Sequence, residues 1–209
     1  PCKPKKIIAI AKNFTGNMVK EYQNYEPLFF IKPSTSICNP NDLVFNPFPD
    51  LPIWGEPELA VVVKNKLKNV SIEEAHDGIL GYTCANDITV ENINGRDHHL
   101  ARSKCPDNFC PVGPWIDTKF DSSNCLIEGI QNDRIVRSGY SKDQIMQWPE
   151  IIKHVSQWIT LEPWDIILTG NPPDYKGGME TTSPGMVFLN DGDIFTVKIK
   201  GLGQISIPS

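Results

Sequence analysis

The chain has 209 residues, 40% hydrophobic and 22% charged, the composition of an ordinary globular protein with enough length for one sizeable core. A formal net charge of −5 and the lack of a Lys/Arg cluster argue against nucleic acid as a partner, and no apolar run approaches the roughly 20 residues of a bilayer span. The cysteines at 2, 38, 84, 105, 110 and 125 form no CxxC pair and have no histidines at zinc-finger spacing, so reduced structural thiols and a cytoplasmic location are expected.

In chain order, Lys3, Lys5 and Lys6 read as a solvated terminus leading directly into a strand over Lys6–Ile10, without the apolar core of a signal peptide. Further strands are expected at Leu28–Ile31, Glu58–Val63 and Gly81–Ala85, each β-branched or aromatic-rich and bounded by turn formers. Between the last two, Ser71-Ile72-Glu73-Glu74 has the form of a capping box, starting a helix that runs to Asp77 and stops at Gly78. A hairpin of Ile130–Gln131 with Ile135–Val136 follows. A second helix, Trp148–Trp158, would gather Ile151, Ile152, Val155 and Ile159 on one face, with His154 as a surface or packing residue. Strands over Asp165–Leu168, Ile194–Lys200 and Gln204–Ile207 complete the chain, the turn Asn190-Asp191-Gly192-Asp193 leading into the second of them. The sum is an α+β fold, predominantly β with few short helices, forming a single domain over residues 1–209.

Chemistry concentrates in two segments. In Gly55-Glu56-Pro57-Glu58-Leu59-Ala60-Val61-Val62-Val63, residues two apart on a strand share a face, so Glu56 and Glu58 can converge on one point. Such a pair is either a set of metal ligands or two carboxylates on a solvated face. Asp87 ends the apolar run Gly81-Tyr82-Thr83-Cys84-Ala85-Asn86, as a turn former or as a third ligand. Taken together, the three are hard oxygen donors suited to Mg²⁺ or Mn²⁺, leaving coordination positions open for water and substrate.

These segments, with Lys12-Asn13-Phe14, Phe29-Phe30-Ile31-Lys32-Pro33-Ser34-Thr35-Ser36, Phe109-Cys110-Pro111-Val112-Gly113-Pro114-Trp115, Thr160-Leu161-Glu162-Pro163, Asp165-Ile166-Ile167-Leu168-Thr169-Gly170 and Gly192-Asp193…Gly201-x-Gly203, resemble in order and over nearly the whole chain the fumarylacetoacetate hydrolase family. The Cys105–Trp115 run is similar to its isomerase/decarboxylase branch, which acts on 2-hydroxyhepta-2,4-diene-1,7-dioate and related acids of aromatic catabolism. The resemblance implies a mixed β-roll, a homodimer, and a site at the mouth of the roll. It implies Mg²⁺ or Mn²⁺ held by Glu56, Glu58 and Asp87, and a small-molecule 2-oxo acid as substrate. It gives Lys104 the catalytic role of stabilising an enolate or carboxylate, and Lys12, Thr169 and Asn171 contact with substrate.

The sequence departs from the family pattern where hydrolysing members carry a His and a Glu three residues apart after the Asn-Phe pair. Asn17 and Lys20 stand at those positions, and Glu21 aligns only after a one-residue shift. Gly16 offers this segment a hinge. Elsewhere Glu91-Asn92 replaces an Arg-Asp, and Asn171 replaces a Thr. His98 and His99 are the remaining candidate bases. With the water-activating pair absent from the sequence, enolisation or decarboxylation of a 2-oxo dicarboxylate is the leading expectation. The alternatives are a C–C hydrolase of an acylpyruvate and a non-catalytic metal- or ligand-binding relative.

Overall fold

Residues 3–14, 26–92, 95–175 and 187–209 are described by the structure, a computed structural model. Apolar and β-branched runs give strands β1 (Lys6–Ala11), β2 (Leu28–Pro33), β3 (Ile37–Cys38), β4 (Ile53–Trp54) and β5 (Pro57–Val63). Helix α1 (Ile72–Asp77) precedes β6 (Ile79–Asn86), β7 (Thr89–Val90), α2 (Ala101–Lys104) and β8 (Cys110–Asp117). The hairpin β9 (Leu126–Gln131) and β10 (Arg134–Tyr140) leads to α3 (Trp148–Trp158), β11 (Ile166–Leu168), β12 (Ile194–Ile199) and β13 (Gly203–Pro208).

A seven-stranded sheet runs in the order β2-β1-β11-β5-β6-β8-β3, and a four-stranded sheet in the order β10-β9-β12-β13. The pair β4-β7 lies apart from both. Strand β11 is parallel to β1 and antiparallel to β5, so the large sheet is mixed. Every residue of β5 is buried, as its unbroken apolar run requires of a strand covered on both faces. Successive side chains therefore enter two cores. Ile8, Ile10, Leu59, Val61 and Ile167 join α3 and the four-stranded sheet in the larger one. Ile7, Ala9, Ala60, Ala85, Ile166 and Leu168 line the other face. Three of these are alanines, and this is the face that Glu58 shares with Ala60.

The capping box of α1 forms as expected: Ser71 Oγ accepts from the Glu74 N–H at 3.2 Å, and Glu74 Oε2 accepts from the Ser71 N–H at 2.8 Å. His154 packs edge-on against Phe29, with ring centroids 6.1 Å apart. Ile159 packs against the same core as Ile151, Ile152 and Val155, although it is already extended at the end of the helix. The hairpin strands β9 and β10 reach well beyond the expected Ile130–Gln131 and Ile135–Val136. Strand β8 was not expected, since two prolines and a glycine in Cys110–Trp115 disfavour a ladder. It pairs nonetheless, with Cys84 opposite Gly113 and a register shift beside that pair that absorbs the irregularity.

Ile167 is fully buried between two central strands, whereas Ile194 is 50% exposed. Ile167→Ala is expected to cost about 2–5 kcal/mol in urea denaturation, and Ile194→Ala less than about 0.5 kcal/mol.

Candidate metal centre

Glu56 sits in the link between β4 and β5, and Asp87 follows the last residue of β6. Two bonds clamp these chain segments together. The Asp87 N–H donates to Glu56 O at 2.9 Å, and the Glu56 N–H donates to Asn86 Oδ1 at 2.8 Å. Glu58 lies opposite Ala85 on β5. One carboxylate oxygen from each of Glu56, Glu58 and Asp87 falls within 4.8 Å of the others. Burial excludes the solvated-face reading for Glu58, which is 1% exposed.

Each carboxylate is held by neighbours. Glu56 Oε1 accepts from Trp54 Nε1 at 2.8 Å and from Thr89 Oγ1 at 3.0 Å. Glu58 Oε2 accepts from the Gly170 N–H at 2.6 Å. Gly170 has φ of +96°, and a Cβ there would meet Asn13 Cβ at 2.8 Å, so only glycine allows this backbone to reach Glu58. Lys104 Nζ lies 2.7 Å from Glu56 Oε2 and 2.8 Å from Asp87 Oδ2, bridging the two. Lys32, fully buried on β2, places Nζ 2.6 Å from Asp87 Oδ1 and also donates to Lys104 O.

Lys104 is presented by α2, whose start is stabilised by Asp97. The Asp97 carboxylate accepts from the Ala101 N–H at 2.9 Å and from the Ser103 N–H at 2.7 Å. Although slight burial pushes the Asp97 carboxyl up, these bonds hold it below its ordinary value of 3.8.

Charge decides what the centre can hold. Burial pushes the Glu56 carboxyl up, but Lys104 and then Arg137 outweigh it and hold the group down at about 2. Burial raises the Glu58 carboxyl well above the usual range, and the charges of Asp87 and Glu56 push it the same way. Burial alone would lower the Lys104 ammonium, but Asp87 and Glu56 keep it firmly charged. Among the described residues three carboxylates thus face two ammonium groups, and Glu58, the one with neither of them in contact, resists ionisation. A divalent cation resolves that imbalance, and three carboxylate oxygens suit Mg²⁺ or Mn²⁺. Asn86 Nδ2 is buried without a hydrogen-bond partner among the described residues, leaving a donor beside the carboxylates.

Of the residues expected at the site, Glu56, Glu58, Asp87 and Lys104 come together. Thr169 is fully buried, its hydroxyl donating to Leu59 O at 2.8 Å and accepting from Gln144 Nε2 at 2.7 Å. The Thr169 hydroxyl is therefore engaged within the fold. Asn171 is half-buried next to Gly170, and Lys12 is exposed in a left-handed turn after β1 with φ of 57°. His98 and His99 are exposed. Gly16, Asn17, Lys20 and Glu21 lie outside the described residues. Lys32, Trp54, Thr89 and Gly170 were given no role from sequence. The readable signal for Lys32 was a lysine two positions from Phe30 on an apolar strand, which alternation directs to the same buried face.

Residues 6–207 match the fumarylacetoacetate (FAA) hydrolase C-terminal family. The chain is similar to the solved structure of 5-carboxymethyl-2-hydroxymuconate delta-isomerase from Mycobacterium smegmatis, with a TM-score of 0.88 and 30% identity, covering 100% of this chain and 79% of that one. It is also similar to maleylpyruvate hydrolase from Sphingobium sp. SYK-6, solved with manganese(II) and pyruvate, with a TM-score of 0.79 and 28% identity, covering 99% of this chain and 70% of that one. A mitochondrial oxaloacetate tautomerase of Xenopus laevis is 33% identical over 214 residues, or 98% of this chain and 65% of that protein.

Glu58 must lose its proton to ligate a cation, and its carboxyl is raised, so Mn²⁺ affinity should rise with pH by up to about tenfold per unit while one proton is released. Titration calorimetry in buffers of different ionisation enthalpy reads both quantities. In thermal melts, Mn²⁺ at 100 times its Kd should stabilise the wild type by about 2.7 kcal/mol and leave Glu58→Ala unchanged. Asp97→Ala should cost about 1 kcal/mol near neutral pH. Because the folded Asp97 carboxyl is depressed, its contribution is present above the ordinary value of 3.8 and is lost as pH falls through the folded value. Denaturation of both proteins across that range should show the difference closing.

Proposed function

Because this chain belongs to the fumarylacetoacetate hydrolase family, we propose that it is a divalent-metal-dependent enzyme that enolises a 2-oxo dicarboxylic acid, acting as an isomerase, tautomerase or decarboxylase. The observation that carries this reading is the Lys104 ammonium, held between Glu56 and Asp87 in a buried carboxylate centre. Glu56, Glu58 and Asp87 would hold the Mg²⁺ or Mn²⁺. The bound cation supplies Lewis acidity, making the carbon next to the 2-oxo group easier to deprotonate.

The chain's own residues account for the remaining chemistry. Lys104, kept charged by two carboxylates, stabilises negative charge on substrate oxygen as it develops. Lys32 neutralises Asp87 from the opposite oxygen and orients it. The Gly170 N–H holds Glu58 in place, and Asn171 and Lys12 are assigned to the substrate's polar groups. Enolisation requires no activated water, in keeping with Asn17 and Lys20 standing where hydrolysing members carry His and Glu. We assign residues 1–209 to one catalytic domain that acts on small molecules as a homodimer. The free thiols of Cys38, Cys84, Cys105, Cys110 and Cys125 favour a reducing compartment, the cytoplasm.

The second reading is hydrolysis of a C–C bond in an acylpyruvate, favoured by the likeness to maleylpyruvate hydrolase. NMR in D₂O with oxaloacetate, an acylpyruvate and an unsaturated 2-oxo dicarboxylate, with Mg²⁺ or a chelator, separates the two. Metal-dependent deuterium uptake or CO₂ loss without cleavage is expected, and cleavage of the acylpyruvate into two acids would establish the hydrolase instead. Lys104→Met should lower kcat by roughly 10²–10³-fold. Full turnover by Glu58→Ala would refute metal dependence at this centre.

A further inference from the structure

At the end of β5 farthest from the carboxylates, residues 63–70 and 156–165 run antiparallel as a ribbon. The Val63 N–H donates to Asp165 O at 2.9 Å, Leu67 and Leu161 exchange both backbone bonds at 2.9 Å, and the Asn69 N–H donates to Ser156 O at 3.0 Å. Leu67 and Leu161 are buried in the main core, so the alternate positions of the ribbon face outward. These are Lys64, Lys66 and Lys68 on one segment and Glu162 and Trp164 on the other, all exposed except the half-buried Glu162. Lys5, just before β1, pairs with Glu162 at 2.5 Å. Lys68 Nζ donates to Gln157 O at 3.0 Å, beside Trp158, the last residue of α3. Lys64 and Lys66 form no ion pair among the described residues. Helix α1 ends against the ribbon, where Gly78 O accepts from the Lys64 N–H at 2.8 Å and Asp77 is exposed. Four lysines thus meet only Glu162 and Asp77 here, on a chain whose overall charge is −5.

Two open indoles accompany these lysines. Trp158 is 65% exposed and Trp164 48%. Trp164 also has φ of +75°. It is the third residue of the turn Glu162-Pro163-Trp164-Asp165, closed by the Asp165 N–H donating to Glu162 O at 3.0 Å. Proline at the second position and a positive φ at the third make a type II turn, whose third position ordinarily takes glycine. A bulky residue there strains the backbone while half of its surface stays in water, so packing does not account for it.

Lysines draw a protein to anionic headgroups, and an indole, apolar with one polar N–H, settles at headgroup depth. We infer that this ribbon docks the chain onto an anionic lipid bilayer, with Lys64, Lys66 and Lys68 on the headgroups and Trp158 and Trp164 inserted among them. An acidic peptide would answer the lysines alone, whereas a bilayer interface takes both kinds of side chain. Docking of this kind needs no spanning helix. Val63 stands roughly 17 Å along β5 from Glu58, which leaves the carboxylate centre away from the contact.

The test is co-sedimentation of the Mg²⁺-loaded chain with vesicles of phosphatidylcholine alone and of phosphatidylcholine mixed with phosphatidylserine. The wild type should bind the anionic vesicles at least about tenfold more tightly than the neutral ones. It should leave them when salt shortens the Debye length from about 10 Å to about 3 Å. Lys64→Glu combined with Lys66→Glu should weaken binding at least about tenfold. Trp158→Ala and Trp164→Gly should each weaken it by roughly three- to tenfold. Glycine suits φ of +75°, so Trp164→Gly should melt no lower than the wild type, which separates lost docking from unfolding. No binding by the wild type, equal binding to both vesicles, or binding indifferent to these variants would overturn the inference. So would capture of a polyglutamate peptide through the same lysines without vesicle binding, which assigns the ribbon to an acidic partner. A dimer lost in Trp164→Gly while vesicle binding persists would likewise overturn it, making the ribbon a contact between two copies.

Discussion

Three carboxylates within 4.8 Å of one another inside a sheet repel by about 3 kcal/mol per pair at an effective dielectric of 20, and the surrounding structure is arranged to meet that cost. Lys32 and Lys104 approach Asp87 from its two oxygens, and Lys104 spans to Glu56. Neither lysine touches Glu58, whose only hydrogen bond among the described residues comes from a backbone N–H. Among the described residues the centre is left one positive partner short, a shortage that a divalent cation would meet.

The fold supplies the space in which this arrangement is possible. One face of the large sheet packs into the main core, and the other intersperses Ala9, Ala60 and Ala85 among larger residues such as Ile7 and Leu168. Lys32 and Glu58 share that second face by simple strand alternation. Residues that would be isolated charges in a bulky core lie here beside one another. The links between Asn86–Asp87 and Glu56 then hold the ends of β5 and β6 in register, so that Glu56, just outside the strand, is aligned with Glu58 within it. Rigid strands position the carboxylates, while Lys104 and Gly170 arrive on a short helix and a glycine turn.

Local sequence made part of this visible. Two glutamates separated by one residue at the head of an apolar run, and an aspartate at the end of another, mark a cluster because strand period and the cost of burying like charges are local properties. The capping box at Ser71 was legible for the same reason, since both partners lie within one turn. Strand β8 was not, because its prolines and glycine oppose a ladder and only its neighbours enforce one. The partners of the carboxylates were hidden by distance along the chain. Lys32 is 55 positions from Asp87, and Gly170 is 112 from Glu58.

What the sequence by itself determined is the chemistry available: an oxygen-donor triad, a lysine to accompany it, a mainly β scaffold, and a resemblance carried by motifs in order. The tertiary structure alone decided that Glu58 is buried with no ammonium of the described residues in contact, that Lys32 closes the back of Asp87, and that the Thr169 hydroxyl is engaged within the fold. The physical reason is that charge compensation depends on separations of a few ångströms between atoms. Those separations are set by which strands pair and which faces meet, relations that spacing along one segment does not encode.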